Sequence, residues 1–192
     1  MLGRAAGLAL LLTPLLALAA CGGAATPSPP IGRSAAAPPP RPIEMSLRRS
    51  NGEWIHLGDL RGEPVLLFLF ATFDGVSQAA LRPTARFARA HPEVHVIGVA
   101  VQPDAKLLLD PYEAALTPGF PLTYDPARDV HHGTSPLGPI DAVPTFVMLD
   151  AFGIEAGRHV GFPNSHTLDR LLVEAQARGR PEPPQELPLL AD

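Results

Sequence analysis

Val65–Ala71 reads VLLFLFA, an unbroken apolar run of the kind that forms a strand buried on both faces of a sheet. A second such run, VHVIGVAV, occupies residues 94–101. Between them lies a helix-like segment from about Ser77 to Ala90, which Pro83 interrupts. Two buried strands joined through a helix predict a parallel pair with a right-handed crossover.

Shorter patterns extend this layout in both directions along the chain. Strand-like runs at Glu44–Arg48 and Glu53–Leu57 flank Asn51-Gly52, a dipeptide typical of tight hairpin turns. The later segments are a helix over Ala105–Leu116, strands over Leu122–Tyr124, Thr145–Asp150 and Ile154–Val160, and a last helix ending near Arg178. The last two strands are close enough along the chain to pair antiparallel. The sequence therefore predicts one α/β domain over residues 43–180, with a mixed central sheet and helices on both faces.

The composition sets limits on the whole chain of 192 residues. Of its 24 prolines, seven fall in residues 27–42 and four in residues 181–188, so they are concentrated in the short segments that flank the predicted domain. A hydrophobic content of 46% excludes disorder throughout. The net charge is −4, with one lysine and no evident Lys/Arg cluster, which argues against a nucleic-acid partner.

The N-terminal residues resemble a bacterial lipoprotein signal. Arg4 precedes an apolar stretch over residues 5–20, and Leu18-Ala19-Ala20-Cys21 resembles the lipobox, in which the cysteine receives the lipid. The prediction is a signal peptide over residues 1–20 and a lipid on Cys21. An ordinary cleaved signal with an incidental cysteine is the alternative.

Proline-rich segments flank the predicted domain. Residues 21–42 carry the lipidated cysteine and a Pro/Ala-rich linker, interpreted as an extended stalk, with a proline-rich ligand for another domain as the alternative. Residues 181–192 form a Pro-rich tail. We expect an exported protein held at a bacterial membrane by its lipid, with the domain in the periplasm or extracytoplasmic space.

Several segments, in order, resemble the exported, membrane-anchored thioredoxin-like proteins of the TlpA/ResA type. They are Leu57–Pro64, Val65–Phe73, Pro83, Phe120–Pro126, Val143–Phe146 and Leu149–Gly153. The resemblance covers about residues 43–176. It implies a thioredoxin-like fold in which Pro83 lies where the family kinks its first long helix and Pro144 is the family's cis-proline.

The family's redox motif is absent. The resemblance implies Cys-x-x-Cys directly after Phe73, but the sequence continues Asp74-Gly75-Val76-Ser77-Gln78. Alignment by Phe73 puts Asp74 and Ser77 at the cysteine positions, and alignment by Pro83 puts Gly75 and Gln78 there. Because thiolate is the nucleophile in disulfide exchange, neither alignment permits that chemistry or that of a peroxiredoxin. No catalytic residue is therefore assigned.

The copper chaperones of the SCO-like family resemble the same region, with a Cys-x-x-x-Cys motif. That motif would fall on Asp74 and Gln78, and the family's copper-binding histidine near Ala142. All three ligands are missing, and soft thiolates are what select Cu(I). A metal site of this kind is therefore not expected.

Two other roles for these residues remain open. Asp74 and Ser77 are good helix caps, and capping explains them without a ligand. Alternatively, the loop Asp74, Gly75, Val76, Ser77 and Gln78 is a vestigial active site, and the segment Val143, Pro144 and Thr145 beside it pairs with an extended peptide, as the resemblance implies. If Pro144 serves only the fold, no such binding follows.

The histidines suggest a further alternative. His131 and His132 are adjacent, and adjacent helical residues point about 100° apart and so rarely hold one ion. No metal or other cofactor is expected. The first hypothesis is therefore a non-catalytic protein- or peptide-binding or assembly factor of the cell envelope. The alternatives are a TlpA-like redox protein that acts with partner thiols, and SCO-like or histidine-based metal binding.

Overall fold

The computed structural model describes residues 40–178. The predicted signal peptide, Cys21, most of the linker and the Pro-rich tail lie outside these described residues. The boundaries assigned to those segments, and the lipid on Cys21, therefore stay predictions.

The described residues alternate between strands and helices. The strands are β1 (Ser46–Arg49), β2 (Trp54–His56), β3 (Val65–Phe70), β4 (His95–Ala100), β5 (Leu122–Tyr124), β6 (Thr145–Leu149) and β7 (Glu155–Val160). The helices are a 3₁₀ helix (Leu57–Leu60), α1 (Gly75–Ala90), α2 (Ala105–Leu116), α3 (Asp129–His132) and α4 (Thr167–Arg178). The elements thus follow the predicted α/β order.

The strands form one mixed sheet in the order β2-β1-β5-β4-β3-β6-β7. β3 runs parallel to β4, from Val65 beside His95 to Phe70 beside Ala100, as the two apolar runs predicted. β6 pairs antiparallel with β3 and with β7, which confirms the predicted hairpin. The carboxyl ends of β3, β4, β5 and β7 therefore lie at one end of the sheet.

Hydrophobic cores fill both faces of the sheet. Alternate residues of β3 divide between them: Leu66, Phe68 and Phe70 enter the core under α1, α2 and α4, while Val65, Leu67 and Leu69 enter the opposite core. The second core is covered by the 3₁₀ helix and α3, so both faces carry helices, as predicted. All core residues fall between Ile43 and Ala175, so the domain contains its own core.

Local differences from the sequence prediction have clear causes. The second strand was predicted to run to Leu57, but it ends at His56, and Leu57 is buried as the first residue of the 3₁₀ helix. Helix α1 begins at Gly75 rather than Ser77, and it continues through Pro83 to Ala90. No helix among residues 40–178 combines the length and the apolar character needed to cross a membrane.

Candidate functional site at the carboxyl end of β3

The loop after β3 leads directly into α1, and Asp74 fixes where that helix begins. Its backbone is extended, and its Oδ2 accepts the backbone N–H of Ser77 at 2.7 Å. Hydrogen bonds from the side chain and then the backbone of Ser77 lower the pKa of the Asp74 carboxyl below its usual 3.8. The carboxylate thus stays ionised at the positive end of the helix, which confirms the predicted N-cap.

Ser77 is not a cap, which corrects the sequence prediction. It is the third residue of α1 and is fully buried. The backbone N–H of Ala71 points to its hydroxyl oxygen at 3.5 Å. The Ser77 side chain therefore presents no hydroxyl at the surface.

The two glutamines near this loop hold it in place through Thr72. Gln78 Nε2 donates to the backbone carbonyl of Thr72 at 2.8 Å. Gln102 Oε1 accepts the backbone N–H of Thr72 at 2.9 Å, and Gln102 Nε2 donates to the Thr72 hydroxyl. Gln102 was missed by the sequence analysis, although a polar residue just beyond a buried strand at this end of the sheet was an available signal.

The segment before β6 lies beside this loop. Thr145 pairs with Leu69 near the end of β3, and the Val143–Pro144 peptide bond is cis, as the resemblance implied. Pro144 O accepts the N–H of Gly161 at 2.7 Å. Within residues 40–178, the N–H and C=O of Val143 make no hydrogen bond. Both backbone groups of Val143 are therefore without a partner in the described part of the chain.

Exposed apolar side chains lie at the same end of the sheet. Phe73, in the loop before α1, is 76% exposed, and Phe162, just after β7, is 53% exposed. Val76 and Val160 are also exposed, and Val160 pairs with Thr145 at the same end of the sheet. We call Phe73, Val76, Val143, Val160 and Phe162 the site surface.

Tyr112 on α2 lies close to Phe70 and Asp74, at the same end of the sheet. Its ring stacks on Phe70 with centroids 5.6 Å apart, and its hydroxyl is buried without a hydrogen-bond partner in the described part of the chain. Burial, followed by the negative charge of Asp74, raises the pKa of Tyr112 to about 12. Sequence analysis did not single out Tyr112, because neither burial nor the proximity of Asp74 is visible in the sequence.

The adjacent histidines lie away from any metal-binding arrangement. His131 and His132 both belong to α3, with ring centroids 5.1 Å apart and planes at 64°. Among residues 40–178, no three His, Cys, Asp or Glu side chains are placed to hold one ion. The structure therefore brings no third ligand to this pair.

The strand order and the cis-proline before β6 can now be compared with known proteins. No family model matches the chain, and a search of curated proteins also finds no match. Solved structures do match. A thioredoxin-family thiol:disulfide interchange protein from Chlorobium tepidum has a TM-score of 0.61 and 20% identity, with 73% of this chain and 99% of that chain covered.

The domain has a thioredoxin-like fold. Two further matches agree with this. The exposed lipoprotein thioredoxin of Streptococcus pneumoniae gives a TM-score of 0.57 at 20% identity, covering 68% of this chain and 98% of that one. A secreted Mycobacterium tuberculosis disulfide oxidoreductase gives a TM-score of 0.53 at 19% identity, covering 69% of this chain and 95% of that one. At such identities the likeness establishes the fold, and the activity must be argued from the site.

Proposed function

We propose that this thioredoxin-like domain is a non-catalytic binding module of the cell envelope, which holds an extended apolar segment of another protein on the site surface. The observation that carries the proposal is the combination of that surface with the absence of a cysteine thiol in the domain. The one cysteine of the chain is Cys21, outside the domain. The site surface thus has backbone groups for pairing with an extended chain, but it has no thiol for disulfide exchange.

The side chains at the motif positions do not replace a thiolate. Asp74 is an ionised carboxylate engaged in capping, and Ser77 is buried with its hydroxyl directed at Ala71 N–H. Gly75 has no side chain, and the amide of Gln78 is bonded to Thr72 O. Each of these groups serves the loop and α1, so none is available as a nucleophile.

The binding contributions are of two kinds. The N–H and C=O of Val143 pair with one residue of an extended chain, as in strand addition. Phe73 and Phe162 cover apolar side chains of that segment. Burying one phenylalanine contributes about 1.5–3 kcal/mol, so we expect Phe73→Ala to weaken binding about tenfold or more.

The test is an NMR titration of the isotope-labelled domain with a pool of extended apolar decapeptides. Amide shifts are expected at residues 73–78, 143–145 and 160–162. Val173→Ala on α4 is the matched control for Phe73→Ala, since Val173 is apolar and 63% exposed but lies on another element. Shifts confined to other surfaces, or no binding by any peptide, would contradict the proposal.

A second measurement addresses catalysis. The domain is expected not to accelerate the reduction of a protein disulfide by dithiothreitol, because it contains no thiol. Clear turnover would refute the non-catalytic assignment and favour the alternative of a redox protein acting with partner thiols.

The proposal includes anchoring at the exported face of a bacterial membrane through a lipid on Cys21. It is supported by the lipobox-like residues Leu18-Ala19-Ala20-Cys21 and by fold relatives described as an exposed lipoprotein and as a secreted protein. Cells fed radioactive palmitate are expected to label the protein, and Cys21→Ala should abolish the label. Persistent labelling of Cys21→Ala would contradict the anchor.

A further inference from the structure

The middle and end of α1 carry a stripe of arginines that the site does not use. Arg82, Arg86 and Arg89 are separated by four and three residues, so they share one face of the helix. The helix contains no acidic residue. No Lys/Arg cluster was expected from the sequence, but the helical spacing places these three arginines together.

The three arginines line one groove between α1 and the end of α2. Its volume is about 310 Å³, and its remaining lining comes from Leu81, Ala85, Leu116, Thr117, Pro118 and Gly119. No carboxylate of residues 40–178 lines this groove. All three arginines are exposed at the surface, so a ligand can reach them from solvent.

The guanidinium groups of the stripe are unpaired. Within residues 40–178, none of them forms an ion pair, and none donates a hydrogen bond, whereas Arg49 and Arg158 pair with glutamates. The acids of the adjoining grooves have other partners. Asp169, in a groove that Arg86 also lines, is contacted by His91 at 3.2 Å. Glu113, in a groove that shares Thr117 with this one, pairs with Arg49 at 3.7 Å. The positive charge of the stripe is thus not neutralised by its surroundings.

A purely structural reason for the arginines accounts for part of this charge. Both α1 and α2 end near the groove, at Ala90 and Leu116, and each helix C-terminus carries about half a negative charge. The three arginines carry three positive charges, and the two helix ends together offset about one of them, which leaves an excess of about two. In a chain of net charge −4, a local excess of this size is not explained by overall composition.

We propose that this groove binds a phosphate group of an anionic ligand. The planar guanidinium donates two parallel hydrogen bonds to phosphate oxygens, and three of them on one helix face can surround a single group. The volume is at the lower end of that of small-molecule sites, which fits a phosphorylated small molecule or a lipid headgroup. This site is independent of the site surface and of the proposed function.

The test uses the chain from Gly22 to Asp192, which keeps every described residue and the whole core. Pyrophosphate is titrated calorimetrically at low salt, and binding to neutral vesicles is compared with binding to vesicles containing phosphatidylglycerol. Arg86→Ala should weaken binding at least about tenfold, since hydrogen bonds to charged groups contribute about 1.5–3 kcal/mol. Arg170→Ala, an exposed arginine on α4, is the matched control and should leave affinity unchanged.

The outcomes separate the two sources of the phosphate group. Pyrophosphate binding that Arg86→Ala weakens assigns the site to a soluble ligand, and vesicle binding alone with the same dependence assigns it to a lipid headgroup. Binding should also weaken as salt rises, because the groove is exposed. Absence of binding to both probes, or equal affinity in Arg86→Ala and Arg170→Ala, would overturn the proposal.

Discussion

Replacing Gln102 with leucine tests whether the site loop depends on one buried amide. Gln102 and Thr72 are both buried, and two hydrogen bonds join them. Gln102→Leu keeps a similar side-chain volume but leaves the Thr72 N–H and hydroxyl without partners. Each unsatisfied buried group costs about 1–3 kcal/mol, so for two groups we expect a loss of about 2–6 kcal/mol in the free energy of unfolding.

That loss corresponds to a fall in melting temperature of roughly 7–20 °C, because a domain of this size unfolds with an entropy of about 0.3 kcal/mol per degree. Thermal unfolding followed by circular dichroism measures it. Hydrogen exchange adds a local measurement, since the amide proton of Thr72 should lose protection while amides in β6 keep theirs.

Thr72→Val provides the matched control, because it removes the hydroxyl and leaves the backbone N–H bonded to Gln102. We expect it to cost about 1 kcal/mol, and Gln102→Leu to cost about 1 kcal/mol less in the Thr72→Val background than in the parent. If the free energy of unfolding of Gln102→Leu is within about 0.5 kcal/mol of the parent, or if the effects of the two substitutions are additive, Gln102 and Thr72 are not coupled.

Three further predictions concern the same end of the sheet and its core. Asp74→Ala should lower stability by about 1 kcal/mol through loss of the N-cap, whereas Asp74→Asn should keep most of it. Because folding lowers the pKa of Asp74, the contribution of its charge to stability should be present above the unfolded pKa and be lost as pH falls through the folded pKa. Asp74→Asn should not show this loss. Tyr112→Phe should not destabilise the domain, since its buried hydroxyl has no partner in the described residues, and ultraviolet titration should show the phenol ionising near pH 12. In the parent, stability should fall as pH rises from 10 toward 12, because the unfolded chain releases that proton first. Gly98→Ala should lower the free energy of unfolding, measured by chemical denaturation, by about 1–3 kcal/mol, because its Cβ would lie 2.5 Å from Leu122 Cδ2. An unchanged denaturation midpoint in Gly98→Ala would contradict this close contact. A stability loss in Tyr112→Phe, or unchanged stability in Asp74→Ala, would contradict the other two predictions.

The chain elements were largely predictable because their signals are local. The apolar run at Val65 defines a strand that is buried throughout, and the bounds of α2 and β5 agree with the predicted ranges. The parallel and antiparallel pairings followed from connection length, since short links permit hairpins and a helix permits a crossover. The position of Pro144 before β6 followed from the resemblance, and its cis bond agrees with it.

Other features depended on which residues the fold brings together. Ser77 and Asp74 are equally good caps by residue type, and the backbone geometry at the end of β3 selected Asp74. Gln102 is 30 residues from Thr72, so their hydrogen bonds have no signature in either segment. The exposure of Phe73 was equally invisible, since an aromatic after a buried strand is as compatible with burial as with a surface position.

The sequence by itself determined the α/β order, the parallel central pair and the lack of a cysteine within the domain, because strand burial, connection length and residue identity are properties of the chain. Only the tertiary structure decided three other features: the backbone of Val143 has no partner among residues 40–178, the charge of Asp74 acts on Tyr112, and three arginines without a partner in that range line one groove. These depend on distances between segments far apart in sequence. Hydrogen bonding, burial and electrostatic interaction are all set by such distances.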